Sequence, residues 1–351
     1  MNTIRIISSA AELSINPVTV IPRSYTTVGR SLSEGSLLLS KRSSSSKTEP
    51  PVKVIVDVDA GVDDAMALML LLAADNQKII KILGITCSHG NTSVKNVCVN
   101  VLRLLGTMNR FDIPVYEGVE APLIPRDTKC DDEFEHFHGL DGFGDLAFSY
   151  TPSVKLIQSE NAVSALNMIT SDPTHAGKVT LICLAPLTNI ALAMKTYSQF
   201  SKNLKGIYIM GGNSTGMGNI TAAGEFNFYS DPEAAHIVLT SASCPIHLLP
   251  WETCLECEIS LKKVWEKSQF TTWLPCDALL AASVLEPNIV IKSRHCHASV
   301  ELHGTHTRGQ VVLDHLKVKG PNVHLIEKVE DAILKRMFLW AAGHPNSGYL
   351  D

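Results

Sequence analysis

Four aspartates lie within eight consecutive residues: Asp57, Asp59, Asp63 and Asp64. So many carboxylates in one turn repel one another unless positive charge neutralises them. A hard divalent cation would provide that charge, since carboxylate oxygens are its preferred ligands, and a helix amino terminus would stabilise one or two of them. Helix capping would explain Asp63 and Asp64 but not the other two, so the cluster favours a cation site.

The segments on either side place this cluster on a turn from a strand to a helix. Val52–Val58 is rich in β-branched residues and predicts a buried strand, whereas Ala65–Ala74 is apolar, lacks Pro and Gly, and predicts a helix. Asp57 and Asp59 are alternate residues at the strand end and point to the same side. Because open α/β sheets bind ligands at the carboxyl ends of their strands, the cluster lies where a ligand site is expected.

Strands and helices alternate along the rest of the chain, and such repeated βαβ units predict an α/β fold. We expect residues 51–351 to form one domain with an open, mainly parallel sheet, helices on both faces, and a small β-hairpin within His295–Val318 around Gly304. Further strands are predicted at Ile80–Cys87, Val115–Gly118, Val179–Leu184, Lys205–Met210 and Cys244–Leu249, and helices at Ser93–Gly106, Asn161–Thr170, Leu187–Lys195, Asp231–Thr240 and Lys328–Ala342.

Residues 1–50 differ in composition from the rest of the chain. Twelve of these fifty residues are Ser and no apolar periodicity is sustained, so we predict a disordered tail. Its six basic residues loosely suit an organelle transit peptide, but Glu12, Glu34 and Glu49 argue against one. Nine cysteines, an odd number in mostly apolar contexts, indicate a reducing compartment, and we expect a cytoplasmic protein.

Charge and hydropathy exclude two classes of partner. The net charge is −5, so the chain lacks the basic surface that is typical of nucleic-acid-binding proteins. No apolar run approaches the roughly 18–20 residues of a membrane span. We therefore expect a soluble protein that binds a small molecule.

Polar residues follow several of the predicted strands. Cys87–Asn91 follows the second strand, and Thr188–Asn189, Met210–Asn213 and Glu225–Glu233 follow later ones. Since the ends of parallel strands share one edge of a sheet, these side chains converge on the aspartates. Acids and amides with few basic residues suit one cation and a neutral polyhydroxylated ligand. A phosphate site is not indicated, because the chain has no Walker A sequence and no GxGxxG motif after a strand.

Val56–Ala65 resembles the amino-terminal aspartate signature of the nucleoside hydrolases, the inosine–uridine-preferring type of N-ribohydrolase, with Ala60 where the family usually has Pro. Further motifs in the same order extend the resemblance over residues 52–345. They are Gly90–Asn91, Pro186–Ile190, Met210–Gly212, Glu225–Asn227, Asp231–Ala235, Asp277 and Thr307–Gly309. The resemblance implies a Rossmann-like nucleoside hydrolase fold.

The same resemblance implies Ca²⁺-dependent hydrolysis of the N-glycosidic bond of ribonucleosides, such as inosine or uridine, to free base and ribose. It implies that Asp59, Asp64 and Asp277 bind Ca²⁺ together with the backbone carbonyl of Leu184, an all-oxygen set that suits this ion. The ion would hold the attacking water and two ribose hydroxyls, and Asp59 would be the general base. A homodimer or homotetramer is also implied.

Other positions acquire roles at the ribose and the base. The resemblance gives Asn227 a catalytic role besides binding, and it places His138 near the base. Hydrogen bonds to ribose can strengthen as the sugar flattens toward an oxocarbenium-like transition state. The implied ribose-binding residues are Asp63, Asn91, Met210, Asn219, Glu225 and Asn227.

One position departs from the common family pattern. Where many members have His before the last metal-binding aspartate, this chain has Cys276, and a thiol is a weaker proton donor. A subgroup of the family has Cys at this place, so the substitution is compatible with activity and Cys276 stays a candidate catalytic residue. Either another residue supplies the proton to the leaving base, or hydrogen bonding alone activates the base. The alternative is a catalytically impaired nucleoside-binding or sensing protein of the same fold.

Three other functions are less favoured by the residues. A haloacid-dehalogenase-type phosphatase would need Thr or Val where Gly61 stands. Zinc at His295 and His297 lacks further ligands downstream, and the CxxC motif Cys254–Cys257 lacks a companion pair. We therefore predict none of the three.

Overall fold

The computed structural model describes residues 50–125, 137–257, 259–260 and 272–343. The predicted amino-terminal tail lies outside the described residues, so its disorder stays a prediction. The strands are β1 (Val52–Val58), β2 (Ile80–Cys87), β3 (Val115–Tyr116), β4 (Val179–Cys183), β5 (Leu204–Met210), β6 (Ile246–Leu249), β7 (Ile259–Ser260), β8 (Thr272–Trp273), β9 (Val290–Cys296), β10 (Ala298–Val300), β11 (Val311–Leu313) and β12 (Val323–Val329). The helices are α1 (Val62–Asn76), α2 (Val94–Thr107), α3 (Ala162–Ser171), α4 (Thr188–Thr196), α5 (Phe226–Ser230), α6 (Pro232–Ser241), α7 (Trp251–Glu256), α8 (Cys276–Leu285) and α9 (Asp331–Ala341).

Eight of these strands form one open sheet in the order β3-β2-β1-β4-β5-β6-β12-β9. Neighbouring strands from β3 to β12 are parallel, and β9 at the edge runs antiparallel to β12. β10 and β11 form a separate antiparallel pair on either side of the loop that contains Gly304. The predicted α/β fold with a mainly parallel sheet and a small hairpin is therefore confirmed.

The strand order changes direction between β1 and β4. From β1 the chain builds outwards through β2 to β3, and from β4 it builds to the other side through β5 and β6. Where connections leave two neighbouring strands in opposite directions, a crevice opens at their carboxyl ends, and ligands of open α/β sheets bind there. Asp57 and Asp59 at the end of β1, and Leu184 after β4, lie at this crevice.

Alternate residues of β1 face two different helical layers. Val54, Val56 and Val58 pack into the core formed with α1, α2, α8 and α9, whereas Ile55 packs toward α3, α4 and α6. Helix α1 also packs against α8 and α9, and Leu70–Leu72 are fully buried. A helix enclosed in this way is apolar on all sides, which explains why the sequence after the aspartates has no polar face.

Some elements differ from the sequence-based expectation. The predicted helix Lys328–Ala342 begins only at Asp331, because Val323–Val329 is a strand of the main sheet and includes Lys328. His295 belongs to the edge strand β9 rather than to the small hairpin. Helix α8 was not predicted, since nearly all its side chains are buried and it shows no amphipathic period.

Within the described residues, no helix combines the length and apolar character that crossing a bilayer requires.

Arg110 joins the end of α1 to the loop that follows α2. Its Nη2 lies 2.6 Å from Oδ2 of the buried Asp75, whose Oδ1 accepts the N–H of Ile82 at 2.7 Å. We predict that Arg110→Ala lowers the free energy of unfolding by about 3 kcal/mol, because Asp75 keeps a buried charge without its partner. Urea unfolding measures this loss.

The matched control for Arg110 is Lys95→Ala. Lys95 pairs with Glu120 at 3.7 Å, and both side chains are exposed. This change should alter the free energy of unfolding by less than about 1 kcal/mol. Equal losses in the two variants would contradict a structural role for the Arg110–Asp75 pair.

Candidate functional site

The turn between β1 and α1 combines a helix cap with one strained residue. The N–H of Gly61 donates to Asp64 Oδ2 at 2.8 Å, so an acid of the first helical turn caps the helix. Ala60 has a φ of 30°, which L-residues rarely adopt, and its carbonyl accepts a 3.3 Å hydrogen bond from Asn100 Nδ2. Proline fixes φ near −65° and would not fit this turn, which is consistent with Ala at this position.

Three carboxylates meet next to this turn. Asp63 and Asp64 on α1 and Asp277 on α8 each place one oxygen within 4.8 Å of the others. Because both helices begin here, their dipoles favour negative charge at the same point. Asp59 lies beside this group and contacts Asp64. Of the predicted metal-binding acids, Asp64 and Asp277 are therefore in the group, Asp59 adjoins it, and Asp63 is an additional member.

Asp59, Asp64 and Asp277 are buried, and none of them pairs with a described Lys or Arg. Burial and the charge of Asp63 raise the pKa of Asp64 to about 8. Burial and neighbouring aspartates also raise the pKa values of Asp59 and Asp277 well above their ordinary range. No ion pair between described residues joins Lys or Arg to these three acids.

Two oxygen atoms of the cluster indicate what the site can bind. Asp59 Oδ1 and Asp64 Oδ1 are buried, and neither has a hydrogen-bond partner among the described residues. Anionic oxygens buried in this way need either a proton or a cation. An all-carboxylate set fits a hard divalent cation, which would also lower the pKa values of these groups.

Asn91 connects two of the acids. Its backbone N–H donates to Asp59 Oδ2 at 2.8 Å, and its side-chain Nδ2 donates to Asp64 Oδ2 at 3.3 Å. Gly90 makes this approach possible, since a Cβ atom there would lie 1.9 Å from Asp59 Oδ2. Asn91, which the sequence predicts to bind ribose, thus lies at the edge of the acidic cluster.

Asp57 lies behind the cluster in a buried hydrogen-bond network. Its Oδ1 accepts from Thr86 Oγ1 at 2.5 Å and from Asn189 Nδ2 at 2.9 Å, and burial raises its pKa to about 7. Asn189 also donates to the carbonyl of Cys87 at 2.9 Å and so connects α4 to β2. The position of Asn189 after a strand predicted its presence at this edge, whereas nothing in the sequence singled out Thr86.

Asn227 is fixed between the ends of β4 and β5. Its Nδ2 donates to the carbonyls of Leu184 at 2.9 Å and Met210 at 3.2 Å, and lies 3.7 Å from Met210 Sδ. The structure therefore brings three predicted site residues together. Since a carbonyl oxygen has two lone pairs, this bond leaves Leu184 able to accept a further ligand.

Glu225 and Asn219 organise the start of α5. The buried carboxylate of Glu225 accepts the N–H groups of Gly212 at 2.7 Å, Asn227 at 3.0 Å and Phe228 at 3.2 Å. Burial nevertheless raises the pKa of Glu225 to about 7. Asn219 is exposed, and its Oδ1 accepts the N–H of the first residue of α5 at 2.8 Å. Both predicted ribose-binding residues are thus held by backbone groups.

His138 reaches the amino terminus of α1 from the loop before α3. Its Nδ1 accepts the N–H of Val62 at 3.3 Å, and its Nε2 lies 3.4 Å from Asp63 Oδ1. Because Nδ1 accepts a hydrogen bond, the proton of the neutral ring lies on Nε2 and faces Asp63. The structure places His138 beside the acids, and its role near the base stays a prediction.

Cys276 is the first residue of α8 and is buried directly before Asp277. Its thiol is in hydrogen-bond contact with Cys254 on α7, and this contact together with burial raises the pKa of Cys276. The thiol is therefore protonated at neutral pH. No sequence pattern predicted this pairing, because Cys254 stood out only as half of a CxxC motif.

Of the two histidines considered for zinc, His295 belongs to a stack of histidine rings, and His297 Nδ1 lies 2.9 Å from the carbonyl oxygen of Gly320. The ring of His324 on β12 stacks on His295 of β9 with centroids 4.2 Å apart, and on His247 of β6 with centroids 5.0 Å apart. The nitrogen lone pairs of parallel rings lie in the ring planes and do not meet at one point. In the part of the chain that is described, the side chains grouped as possible metal ligands are the three aspartates.

Comparison with known proteins gives a matching family and similar structures. A family model described as "Inosine-uridine preferring nucleoside hydrolase" matches residues 54–336. A protein named probable uridine nucleosidase 1, from Oryza sativa subsp. japonica, is 37% identical over 191 residues, which are 54% of this chain and 56% of the relative. A pyrimidine-specific ribonucleoside hydrolase from Shewanella sp. (strain MR-7) is 39% identical over 189 residues, 54% of this chain and 55% of the relative.

The alignments thus span about half the length of these curated relatives. A solved structure gives wider coverage. An inosine-guanosine nucleoside hydrolase superposes with a TM-score of 0.73 at 28% identity, covering 83% of this chain and 98% of the other. The nucleoside hydrolase fold that the sequence predicts is therefore confirmed.

Gly90 tests the position of Asp59 beside the cation site. We predict that Gly90→Ala weakens Ca²⁺ binding roughly 10- to 100-fold, as loss of a supporting contact does at other metal sites, because the new Cβ displaces the Asp59 carboxylate. Isothermal titration calorimetry measures the affinity. Gly320→Ala is the control, since a Cβ there meets no atom within 4 Å. An unchanged affinity in Gly90→Ala would place Asp59 away from the cation.

Proposed function

The chain belongs to the inosine-uridine preferring nucleoside hydrolase family, and on that basis we propose that it hydrolyses the N-glycosidic bond of ribonucleosides to free base and ribose. The observation that carries the proposal is the convergence of the Asp63, Asp64 and Asp277 carboxylates within 4.8 Å, with Asp64 and Asp277 buried and no described Lys or Arg paired with any of the three. The proposal includes the cytoplasmic location and the homodimer or homotetramer expected from the sequence.

The donor set fits Ca²⁺. Asp59, Asp64 and Asp277 would hold the ion together with the carbonyl oxygen of Leu184, and Asp63 lies close enough to assist. When bound, the ion supplies Lewis acidity and neutralises the buried carboxylates. The partnerless Oδ1 atoms of Asp59 and Asp64 support this assignment, because buried anionic oxygens otherwise have to be protonated.

The remaining residues have separate tasks in the proposed reaction. Asp59 takes the proton of the attacking water as general base, and Asn91 keeps its carboxylate in place through Oδ2. Asp63, Asn219 and Asn227 bind ribose hydroxyls, together with Asn91 and Glu225. Met210 lines the sugar pocket through its contact with Asn227. Because Glu225, Asn219 and Asn227 are already held by hydrogen bonds to backbone groups, they need little rearrangement when the sugar becomes cationic.

A panel of nucleosides tests the proposal. The three similar proteins described above are named for uridine, for pyrimidine ribonucleosides, and for inosine and guanosine, so both base classes belong in the panel. We expect the purified protein with Ca²⁺ to release free ribose from at least one ribonucleoside, and chelation of Ca²⁺ to stop release. Asp59→Ala should lower kcat by roughly 10²- to 10⁴-fold, the usual contribution of a general base.

The control for the general base is Asp172→Asn. Asp172 is exposed and precedes β4, so it lies at the opposite edge of the sheet from the cluster. The kcat of the Asp172→Asn variant should equal that of the unchanged protein. Nucleoside binding without ribose release would support the alternative, a nucleoside-binding protein of the same fold, and an unchanged kcat in Asp59→Ala would refute Asp59 as the base.

Cys276 is the proposed proton donor to the leaving base. A leaving group that departs as a stable anion needs no proton, so p-nitrophenyl β-ribofuranoside separates this role from others. We predict that Cys276→Ala lowers kcat on the ribonucleoside roughly 10²-fold but leaves the rate on the nitrophenyl riboside within about threefold. Cys276→His should restore the ribonucleoside rate. Equal losses on both substrates would show that Cys276 acts on the sugar or the metal site instead.

A further inference from the structure

A loop of residues 213–224 connects β5 to α5 and carries Asn219; it is called the sugar-side loop below. One carboxylate, that of Glu252 in the first turn of α7, receives most of the hydrogen bonds from the first part of this loop. Glu252 Oε2 accepts the N–H of Ser214 at 2.7 Å, and Oε1 accepts both the N–H of Thr215 at 2.7 Å and its hydroxyl at 2.8 Å. Oε1 also lies 3.3 Å from the N–H of Met217.

Glu252 is suited to hold this loop as an anion. Burial alone would raise its pKa, but the N–H groups of Thr215 and Ser214 outweigh that effect, and the pKa of Glu252 is lowered overall. A charged acceptor that receives several N–H groups forms stronger hydrogen bonds than a neutral one. No motif or spacing in the sequence pointed to Glu252.

The rest of the loop is closed by Asn213 and Asn219. Asn213 Nδ2 donates to the carbonyls of Ala223 at 2.6 Å and Met217 at 3.2 Å, so the two sides of the loop are drawn together. Asn219 Oδ1 accepts the N–H of Phe226, so the Asn219 amide is tied to the helix that carries Asn227. Since its oxygen is used by the backbone, the Nδ2 group of Asn219 is the part that can donate to a ligand.

From these contacts we infer that Glu252 is a positioning residue for the sugar site, and that it acts by ordering the sugar-side loop so that Asn219 meets the ribose. This inference rests on the proposed function for its substrate. Glu252 itself is not placed at the ligand. Its loss leaves Asn219 in the chain but lets the loop fluctuate, so ordering of the loop has to accompany substrate binding.

Kinetics of Glu252→Ala and Glu252→Gln test the inference. Loop ordering accompanies binding and affects ground state and transition state alike, so we expect Glu252→Ala to raise KM about tenfold and to change kcat by less than about threefold. Glu252→Gln keeps one acceptor oxygen and should give an intermediate KM. The control is Glu256→Gln, an exposed position four residues later on the same helix, with unchanged KM and kcat. A fall in kcat with unchanged KM would overturn the inference.

A double-mutant cycle with Asn219→Ala shows whether Glu252 acts through Asn219. If it does, the double variant has a KM no higher than Asn219→Ala alone, because the group that the loop presents is already gone. Independent, multiplying effects on KM would overturn the inference. A loss of global stability alone would reduce the folded fraction and hence the apparent kcat, and it would leave KM unchanged.

Amide hydrogen exchange separates failure of this inference from failure of the proposed function. Exchange at Ser214, Thr215 and Met217 should be faster in Glu252→Ala than in Glu256→Gln, whether or not the protein releases ribose. Equal exchange rates would overturn the inference. If the unchanged protein releases no ribose but exchange is faster in Glu252→Ala, the proposed reaction fails while the anchoring of the loop stands.

Discussion

Repulsion between buried carboxylates is the constraint on which the rest of this structure depends. Asp59, Asp64 and Asp277 are almost inaccessible to solvent; the charge of Asp64 raises the pKa of Asp59, and the charges of both raise the pKa of Asp277. The fold offsets this repulsion with two helix amino termini and with backbone N–H groups such as that of Asn91, rather than with a basic side chain. Such partial charges stabilise a carboxylate but do not neutralise three of them. The multivalent cation that we propose for this site would complete the balance, because carboxylate oxygens are the ligands that such an ion prefers.

The topology determines why these acids meet. Asp57 and Asp59 end β1 at the point where the strand order changes direction, so the crevice at the sheet edge opens beside them. Asp63 and Asp64 follow on α1, which is buried on all sides and therefore cannot turn its acidic end away from the core. Helix α8 packs against α1 and brings Asp277 from more than two hundred residues further along the chain. A rigid, enclosed pair of helices thus keeps like charges together against their mutual repulsion.

Local patterns in the sequence predicted much of this arrangement but not all of it. Strands β1, β2, β4 and β5 were predicted within a residue or two, because β-branched runs and polar strand ends are local signals. Helix α8 escaped prediction, since a helix buried on every side has no amphipathic period, and Asp277 was identified only through the family resemblance. The contacts of Glu252 with the sugar-side loop and of Cys254 with Cys276 join segments that are distant in sequence. Such pairings depend on how α7 packs, and no spacing along the chain encodes them.

In the proposed reaction, more residues are oriented to bind the sugar than to act on the leaving base. Asn227 and Glu225 are oriented by hydrogen bonds to backbone groups, and the Asn91 side chain by its bond to Asp64. Negative charge around the proposed ribose site would favour an oxocarbenium-like state. In the proposed reaction, the acid at the other end of the scissile bond is the Cys276 thiol, whose raised pKa makes it a weak acid. When the sugar cation is strongly stabilised, bond breaking can run ahead of proton transfer, and the demand on the acid falls accordingly. A weak acid at Cys276 is therefore compatible with catalysis when the proposed sugar ligands stabilise the cation strongly.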